Sequence, residues 1–267
     1  MEPFMAKITD PARELVGTLK KLQVQTNALG SAFLADQFGV EVWSRDFYRI
    51  IFCLLDRIEE VKNQIEVLDM YDDEKANAVE HCNALKRAFS QQSLNGHWAS
   101  NGLKHISREH VGALQMLSPQ IRMKTSFNVP SQEELSEILA EANKLKVWLV
   151  EHQLYDKEFI RQALIAGLDD FLFRAERLEW LGQGYCMGSL RDIITAYMAI
   201  DRGEIDPANQ PDMKAALLKT EAFIKCAYSK LSTVKGAVET SDWLLRAYGA
   251  TALCYSGVIG GLLPPPS

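Results

Sequence analysis

The chain has 267 residues, a net charge of −6 and 47% hydrophobic residues. This composition excludes a wholly disordered chain, because enough apolar side chains are present to fill a sizeable core. It also argues against a nucleic-acid partner, since binding phosphates needs clustered Lys and Arg, and the sequence shows no basic stripe. We therefore expect a globular protein that does not bind nucleic acid.

The cysteines and the N-terminal residues indicate the cellular compartment of the protein. Five cysteines are scattered without a CxxC pair, and an odd number cannot all pair within one chain. The first four residues, Met1 to Phe4, do not begin a basic region followed by an apolar run, so we expect no secretory signal. Both features predict a cytoplasmic protein with reduced thiols.

The N-terminal half is dominated by helix signals. Asp10 and Pro11 form an N-cap and a first-turn proline, and heptad-spaced apolar residues predict one helix from there to Gly39. Ser44 predicts the start of a second helix, whose unbroken seven-residue repeat must be buried against other helices. The residues of this repeat are Phe47, Ile51, Leu54, Ile58, Val61, Ile65 and Leu68.

The next stretch mixes a helix with irregular segments. The acidic run from Asp72 to Glu74 suits the first turn of a third helix. From Ser90 to Gly102 the apolar pattern loosens, and a further helical run begins at Ser107. The residues from Pro119 to Pro130 are interpreted as a connection.

The C-terminal half again predicts helices. Ser131 and Glu134 form a capping box, which marks the start of the next helix. A long helix is expected from Asp156 to the glycines at residues 182–184. Further helix starts are predicted at Ser189, Asp212 and Ser241.

These signals together predict an all-α fold, an antiparallel bundle of about eight to ten helices, because no segment shows strand-like alternation. We expect one bundle at residues 1–118, the connection at 119–130 and a second bundle at 131–267, or one continuous domain. Because several helices share the heptad spacing, an intramolecular bundle is favoured over a dimeric coiled coil.

Four of the five histidines lie within residues 81–110. Metal ligands on one helix are three or four residues apart, and these histidines are not, so we predict no metal and no cofactor. The sequence also contains no catalytic motif such as G-x-S-x-G. His105 and His110, together with Trp98 outside the regular helices, are instead candidate partner-binding residues.

Acidic residues raise an enzymatic alternative. Two aspartate patches on different helices could hold Mg²⁺ against a diphosphate substrate. The pattern is incomplete, since Arg174 lies four residues after Asp170 and can neutralise it. The residues of this weak candidate site are Asp69, Asp73, Asp169 and Asp170.

The segment at residues 247–263 contains no charged residue and is rich in small ones. It predicts either a central helix buried by the bundle or a membrane-inserting segment, with an aromatic residue at the interface. Its length lies at the lower limit for crossing a bilayer, which favours burial. The residues concerned are Trp243, Gly249, Gly257, Gly260 and Gly261.

Three functions follow as hypotheses. The first is a non-enzymatic protein that acts as a protein-binding, adaptor or regulatory component. The second is a membrane-active protein that inserts residues 247–263. The third is a Mg²⁺-dependent all-helical enzyme that acts on a diphosphate.

Overall fold

A computed structural model describes residues 8–154, 157–201 and 211–232 of the chain. In these ranges the fold is all-α apart from one two-stranded sheet, which confirms the predicted fold class. The strands are β1 (Ile8–Thr9) and β2 (Phe127–Asn128), and Leu103–His105 form a 3₁₀ turn. The helices are α1 (Pro11–Lys21), α2 (Gly30–Phe38), α3 (Arg45–Glu66), α4 (Asp72–Arg87), α5 (Gln91–Asn95), α6 (Trp98–Asn101), α7 (Arg108–Lys124), α8 (Gln132–Glu151), α9 (Glu158–Glu176), α10 (Leu178–Leu181), α11 (Gln183–Asp201) and α12 (Pro211–Leu231).

The described residues divide into two compact units. The first unit consists of Thr9–Ser126 and Glu179–Gly182. The second consists of Ile8, Phe127–Leu178 and residues 183–201 and 211–232.

The first unit is built around α3. The hydroxyl of Ser44 caps this helix by accepting a hydrogen bond from the backbone N–H of Phe47, at 3.1 Å. The seven-residue repeat from Phe47 to Leu68 is called the α3 seam below, and all seven of its residues are buried, as their spacing predicted. Helices α1, α4, α2 and α7 all pack on α3.

The single helix predicted from Asp10 to Gly39 is wrong, because two helices form there instead. The chain between α1 and α2 bonds to the α5–α6 segment. The backbone N–H of Trp98 donates to the carbonyl of Ala28 at 2.9 Å, and its indole N–H donates to the carbonyl of Leu22 at 3.1 Å. These partners, distant in sequence, satisfy backbone groups that a continuous helix would have paired internally.

Helix α7 begins at the predicted cap, Ser107, but continues through Pro119 to Lys124. The predicted connection therefore begins after α7 and not at Pro119. A proline inside a helix removes one backbone hydrogen bond. On the same stretch of α7, side chains bond to the capping carboxylate of α1: Asp10 accepts from Ser118 Oγ at 2.7 Å and from Arg122 Nε at 3.0 Å.

The second unit packs α9 against α8 and α11, and α12 against α8 and α11. The predicted capping box at the start of α8 is present, with Glu134 N–H donating to Ser131 Oγ at 3.1 Å and Ser131 N–H donating to the Glu134 carboxylate at 2.7 Å. Helices α9 and α11 approach closely at Gly167, where a Cβ atom would lie 2.9 Å from the Ile193 side chain.

Two predicted helix boundaries in this region are wrong. The long helix expected up to Gly182 is interrupted, because α9 ends at Glu176 and α10 follows. The helix start expected at Ser189 lies inside α11, which already begins at Gln183. The Ser189 hydroxyl donates to the carbonyl of Cys186 within that helix, at 2.6 Å, so it does not cap a helix start.

Candidate binding groove

The loop between α2 and α3 holds one strained residue. Gly39, which ends α2, has a φ of +65°, a conformation that glycine adopts freely. Trp43 has a φ of +62° and is the only non-glycine residue with a positive φ among the described residues. For a bulky side chain this conformation costs about 1–2 kcal/mol. The local structure must therefore hold Trp43 in place.

Trp43 belongs to an aromatic cluster at the start of α3. Its ring lies 5.4 Å from that of Phe47 and 5.8 Å from that of Tyr48, centroid to centroid, and the Tyr48 and Phe52 rings are 6.5 Å apart. Phe47 is buried, whereas Trp43, Tyr48 and Phe52 are 42%, 43% and 61% exposed. Neighbouring exposed aromatic rings form the kind of apolar patch that marks a contact site.

The exposed aromatic rings border a groove between the start of α3 and α5, with a volume of about 450 Å³. No charged residue lines this groove. Its apolar part is formed by side chains of α3, α5 and the adjoining loops, and two amides lie at one end. The lining residues are Trp43, Tyr48, Ile51, Phe52, Leu55, Phe89, Gln91, Leu94 and Asn95.

A second, polar depression of about 470 Å³ shares Gln91 and Asn95 with the groove and is also lined by Gln92, Gly96 and Asn101. The Asn101 amide donates to the carbonyl of His97 at 3.2 Å. Within the described ranges, the side-chain amides of Gln91, Gln92 and Asn95 form no hydrogen bond. They are exposed and can donate to and accept from a ligand.

Helix α5 forms the wall that carries these amides, and α2 fixes its position. Ser90 caps α5, and the Ser93 hydroxyl donates to the carbonyl of Arg87 at 2.7 Å. Gly30, at the start of α2, lies so close to α5 that a Cβ atom there would be 2.2 Å from the Ser93 carbonyl oxygen. Only a residue without a side chain fits at this contact.

The sequence contains a second apolar stripe beside the α3 seam. Periodicity alone does not show that this stripe borders a groove. Tyr48, Phe52 and Leu55 repeat at spacings of 4 and 3, like the α3 seam, but lie about 100° around the helix from it. The apolar face at the start of α3 is therefore wider than the α3 seam requires. Which of the two stripes is buried depends on the neighbouring helices.

Trp98, a predicted partner-binding residue, is fully buried in the first unit. Its ring packs on that of Phe33, with 5.1 Å between centroids, and Gly102 leaves the space that the indole occupies. The indole therefore forms part of the core and offers no surface to a partner.

The other two predicted partner-binding residues, His105 and His110, are partly exposed. The Nδ1 atoms of His81 on α4 and His110 on α7 are 2.9 Å apart. Burial lowers the pKa of His110, and the positive charge of a protonated His81 lowers it further. Burial also lowers the pKa of His105. A partner-binding role for these two histidines stays a prediction.

Three of the four acidic residues of the alternative magnesium site have local partners or local roles. Asp73 lies in the first turn of α4, where a carboxylate interacts favourably with the helix dipole. Asp169 pairs with Lys146 at 2.6 Å, and Asp170 pairs with Arg174 at 2.5 Å. Across the described part of the chain, no three His, Cys, Asp or Glu side chains are grouped as metal ligands would be. Asp69 and Asp73 lie in the first unit, and Asp169 and Asp170 in the second.

The predicted segment at residues 247–263, with Trp243 and the helix start at Ser241, lies outside the described residues. Among the helices that are described, none combines the length and the apolar character needed to cross a bilayer.

A buried polar cluster in the first unit was not predicted. Arg57 on α3 is only 4% exposed and donates to Thr18 Oγ1, at 3.1 Å, and to the carbonyl of Trp180. The carboxylates of Glu14 and Glu60 lie near enough to interact with its charge. Burial raises the pKa of Glu60 to about 8, and the Arg57 charge opposes this rise. The cluster joins α1, α3 and residues 179–182 within one unit.

Comparison with known proteins gives no match: no family model, no curated protein and no solved structure is significantly similar to this chain. The groove and its chemistry therefore carry the functional argument.

Proposed function

We propose that this protein is an adaptor or regulatory component that binds a partner protein through the groove beside Trp43, Tyr48 and Phe52. One observation carries the proposal: a strained tryptophan is held partly exposed at the edge of an uncharged, aromatic-lined groove. Strained residues cluster at binding sites, where the surrounding structure holds them against their own preference.

The side chains in the groove support protein binding on energetic grounds. Trp and Tyr are the residue types that most often dominate the binding energy of protein interfaces. A large aromatic side chain can bury about 150–250 Å², so the three exposed rings offer a substantial apolar contact. Exposing them in the free protein is unfavourable, and a partner that covers them removes this cost.

We place this binding in the cytoplasm, because a reducing compartment suits the cysteines. Cys82 and Cys226 are free thiols, and Cys82 is buried. Burial raises the pKa of Cys82 to about 12, so this thiol remains protonated and unreactive at neutral pH.

A random-peptide display library screened against the full chain tests the proposal. Three forms are compared: the wild type, a groove variant with Trp43→Ser and Phe52→Ser, and a control with Met116→Ser and Met123→Ser. The control methionines are 79% and 83% exposed on α7 and line neither the groove nor the polar depression. We expect peptides that bind the wild type and the control and are lost with the groove variant.

Two results would contradict the proposal. One is a screen that enriches no peptide on the wild type. The other is a set of enriched peptides that bind the groove variant as well as the wild type, which would locate the binding surface elsewhere. Circular dichroism of each variant checks that the helices are intact.

A further inference from the structure

We infer that the groove takes an uncharged, proline-rich segment of a partner protein in the polyproline II conformation. This inference rests on the proposed function and specifies the chemistry of the ligand. It follows from three properties of the groove: the absence of charge, the position of the amides and the aromatic faces.

The absence of charge is the first property. Neither the groove nor the polar depression has a charged lining residue. Acidic and phosphorylated peptides are recognised by clustered Arg, and basic peptides by carboxylates, so both classes lack a counter-charge here. The complementary ligand is therefore uncharged.

The amides are the second property, and they distinguish an extended ligand from a helical one. The backbone groups of an amphipathic helix are already paired within the helix, so such a ligand needs only apolar contact with the groove. A polyproline II segment has no internal hydrogen bonds, so its carbonyls are free to accept. The amides of Gln91, Gln92 and Asn95 lie beside the aromatic rings and can donate to such carbonyls.

The aromatic faces are the third property. The ring centroids of Trp43 and Tyr48 are 5.8 Å apart, and those of Tyr48 and Phe52 are 6.5 Å apart. Polyproline II has three residues per turn, so two of its three edges can face a surface at once. A pair of residues two apart, separated by about 6.2 Å along the axis, can therefore contact two neighbouring rings. Residues four apart on an α-helix are separated by about 6 Å, so this spacing fits both ligands. The amides therefore decide in favour of the extended one.

The remaining mode of peptide recognition, addition of a strand to a sheet edge, does not fit. The groove is lined by residues from α3, α5 and the adjoining loops, and none of its lining residues belongs to a strand. Without an edge strand, an incoming peptide cannot extend a backbone ladder here. A proline-rich segment needs no such ladder, since proline lacks the backbone N–H.

The sequence of this chain supplies a probe of the right chemistry. Residues 261–267 read Gly-Leu-Leu-Pro-Pro-Pro-Ser and carry no charge. A synthetic, end-blocked peptide of this sequence is titrated into the full chain by calorimetry and by amide chemical shifts. A second peptide with alanine at the three proline positions and a third, uncharged amphipathic helical peptide serve as comparisons.

We expect the proline peptide to bind at least about tenfold more tightly than the alanine peptide, since proline keeps the free peptide preorganised. Trp43→Ser should abolish the binding, while the control pair Met116→Ser and Met123→Ser should leave it unchanged. Replacing Gln91 and Asn95 together with leucine should weaken the proline peptide about threefold to tenfold. The same replacement should not weaken a helical peptide.

Tighter binding of the alanine or the helical peptide would overturn the inference in favour of a helix-binding groove. If no proline peptide binds but the library yields Trp43-dependent peptides without proline, the inference fails and the proposed function stands. If the library also yields no Trp43-dependent peptide, both the inference and the proposed function fail.

A further variant distinguishes the source of the ligand. In the full chain, Pro264, Pro265 and Pro266 are all replaced by glycine. An unchanged affinity for the proline peptide supports a partner segment as the occupant. A gain of several-fold would show that the chain's own prolines compete for the groove, and would overturn the assignment to a partner.

Discussion

At the scale of single residues, Trp43 combines a backbone cost with a partly exposed aromatic side chain. Its positive φ is unfavourable for any residue with a Cβ atom, yet its ring contacts both Phe47 and Tyr48. The two effects can be separated, because glycine removes both the strain and the ring, whereas alanine removes only the ring.

We expect Trp43→Gly to leave the free energy of unfolding within about 1 kcal/mol of the wild type, since relief of backbone strain offsets the lost ring contacts. Trp43→Ala should be less stable than Trp43→Gly by about 1 kcal/mol, because it retains the strain. Urea denaturation measures both values. A loss above about 2 kcal/mol for Trp43→Gly would show that the indole is mainly structural.

Glu60 predicts a pH effect. Its pKa is raised to about 8 in the folded protein, against 4.5 for an ordinary glutamate. The folded state therefore holds the proton more tightly, so this contribution to stability is full below about pH 4.5 and is lost as the pH rises to about 8.

In Glu60→Gln this titration is absent. The variant should gain stability relative to the wild type as the pH is raised from 5 to 8, measured by urea denaturation at several values in that range. Glu66→Gln, at an exposed position on the same helix, is the matched control and should show no such trend. A stability difference between Glu60→Gln and the wild type that stays constant with pH would contradict the assignment.

At the scale of elements, α3 presents two apolar stripes with different environments. One, the α3 seam, is buried along its whole length, and the other carries the exposed rings of the groove. The same helix thus lies in the core of the first unit and supplies part of the proposed binding surface. Substitutions on the two stripes should separate stability from binding.

Ile58→Asp should lower the free energy of unfolding by about 3 kcal/mol or more, because it places an unpaired carboxylate at a position with 0% exposure. Phe52→Asp, on the exposed stripe of the same helix, should cost less than about 1 kcal/mol while abolishing peptide binding. Thermal and urea denaturation give the comparison. Equal losses for the two variants would mean that the stripes do not differ in burial.

At the scale of the whole molecule, two titrating sites of the first unit oppose one another. The pKa of His110 is lowered from 6.5, so its neutral form is favoured in the folded state. Its contribution to stability is present above about pH 6.5 and is lost as the pH falls below that value. Glu60 acts in the opposite direction over an overlapping range, so the pH dependence of the wild type combines the two effects.

His110→Asn should therefore lose less stability than the wild type when the pH is lowered from 7 to 5. Denaturation of His110→Asn, Glu60→Gln and the double variant across this range separates the two contributions. If the His110→Asn curve runs parallel to that of the wild type, the contact between His81 and His110 does not control stability.

The sequence predicted those parts of the molecule that local chemistry determines. The caps at Ser44, Ser107 and Ser131 and the burial of the α3 seam follow from side chains and spacing within one helix. The break between α1 and α2 was not predictable in this way, because its backbone partners lie in the segment around Trp98.

The groove depends on such distant partners as well. Its amides come from α5 and its rings from α3 and the preceding loop, and no periodicity relates the two segments. The positive φ of Trp43 follows from how the loop closes between α2 and the cap at Ser44, since tryptophan has no preference for it. Neither the groove nor the positive φ of Trp43 can be predicted without the positions of separate elements in space.

The close contact at Gly30 has a genetic consequence. Any side chain at this position would press on the Ser93 carbonyl and displace α5, which carries Gln91 and Asn95. Gly30 itself does not line the groove. If the groove binds a ligand as proposed, a selection for altered ligand preference should therefore recover changes at Gly30 in α2, a helix that does not line the groove, alongside the expected ones in the loop at Trp43.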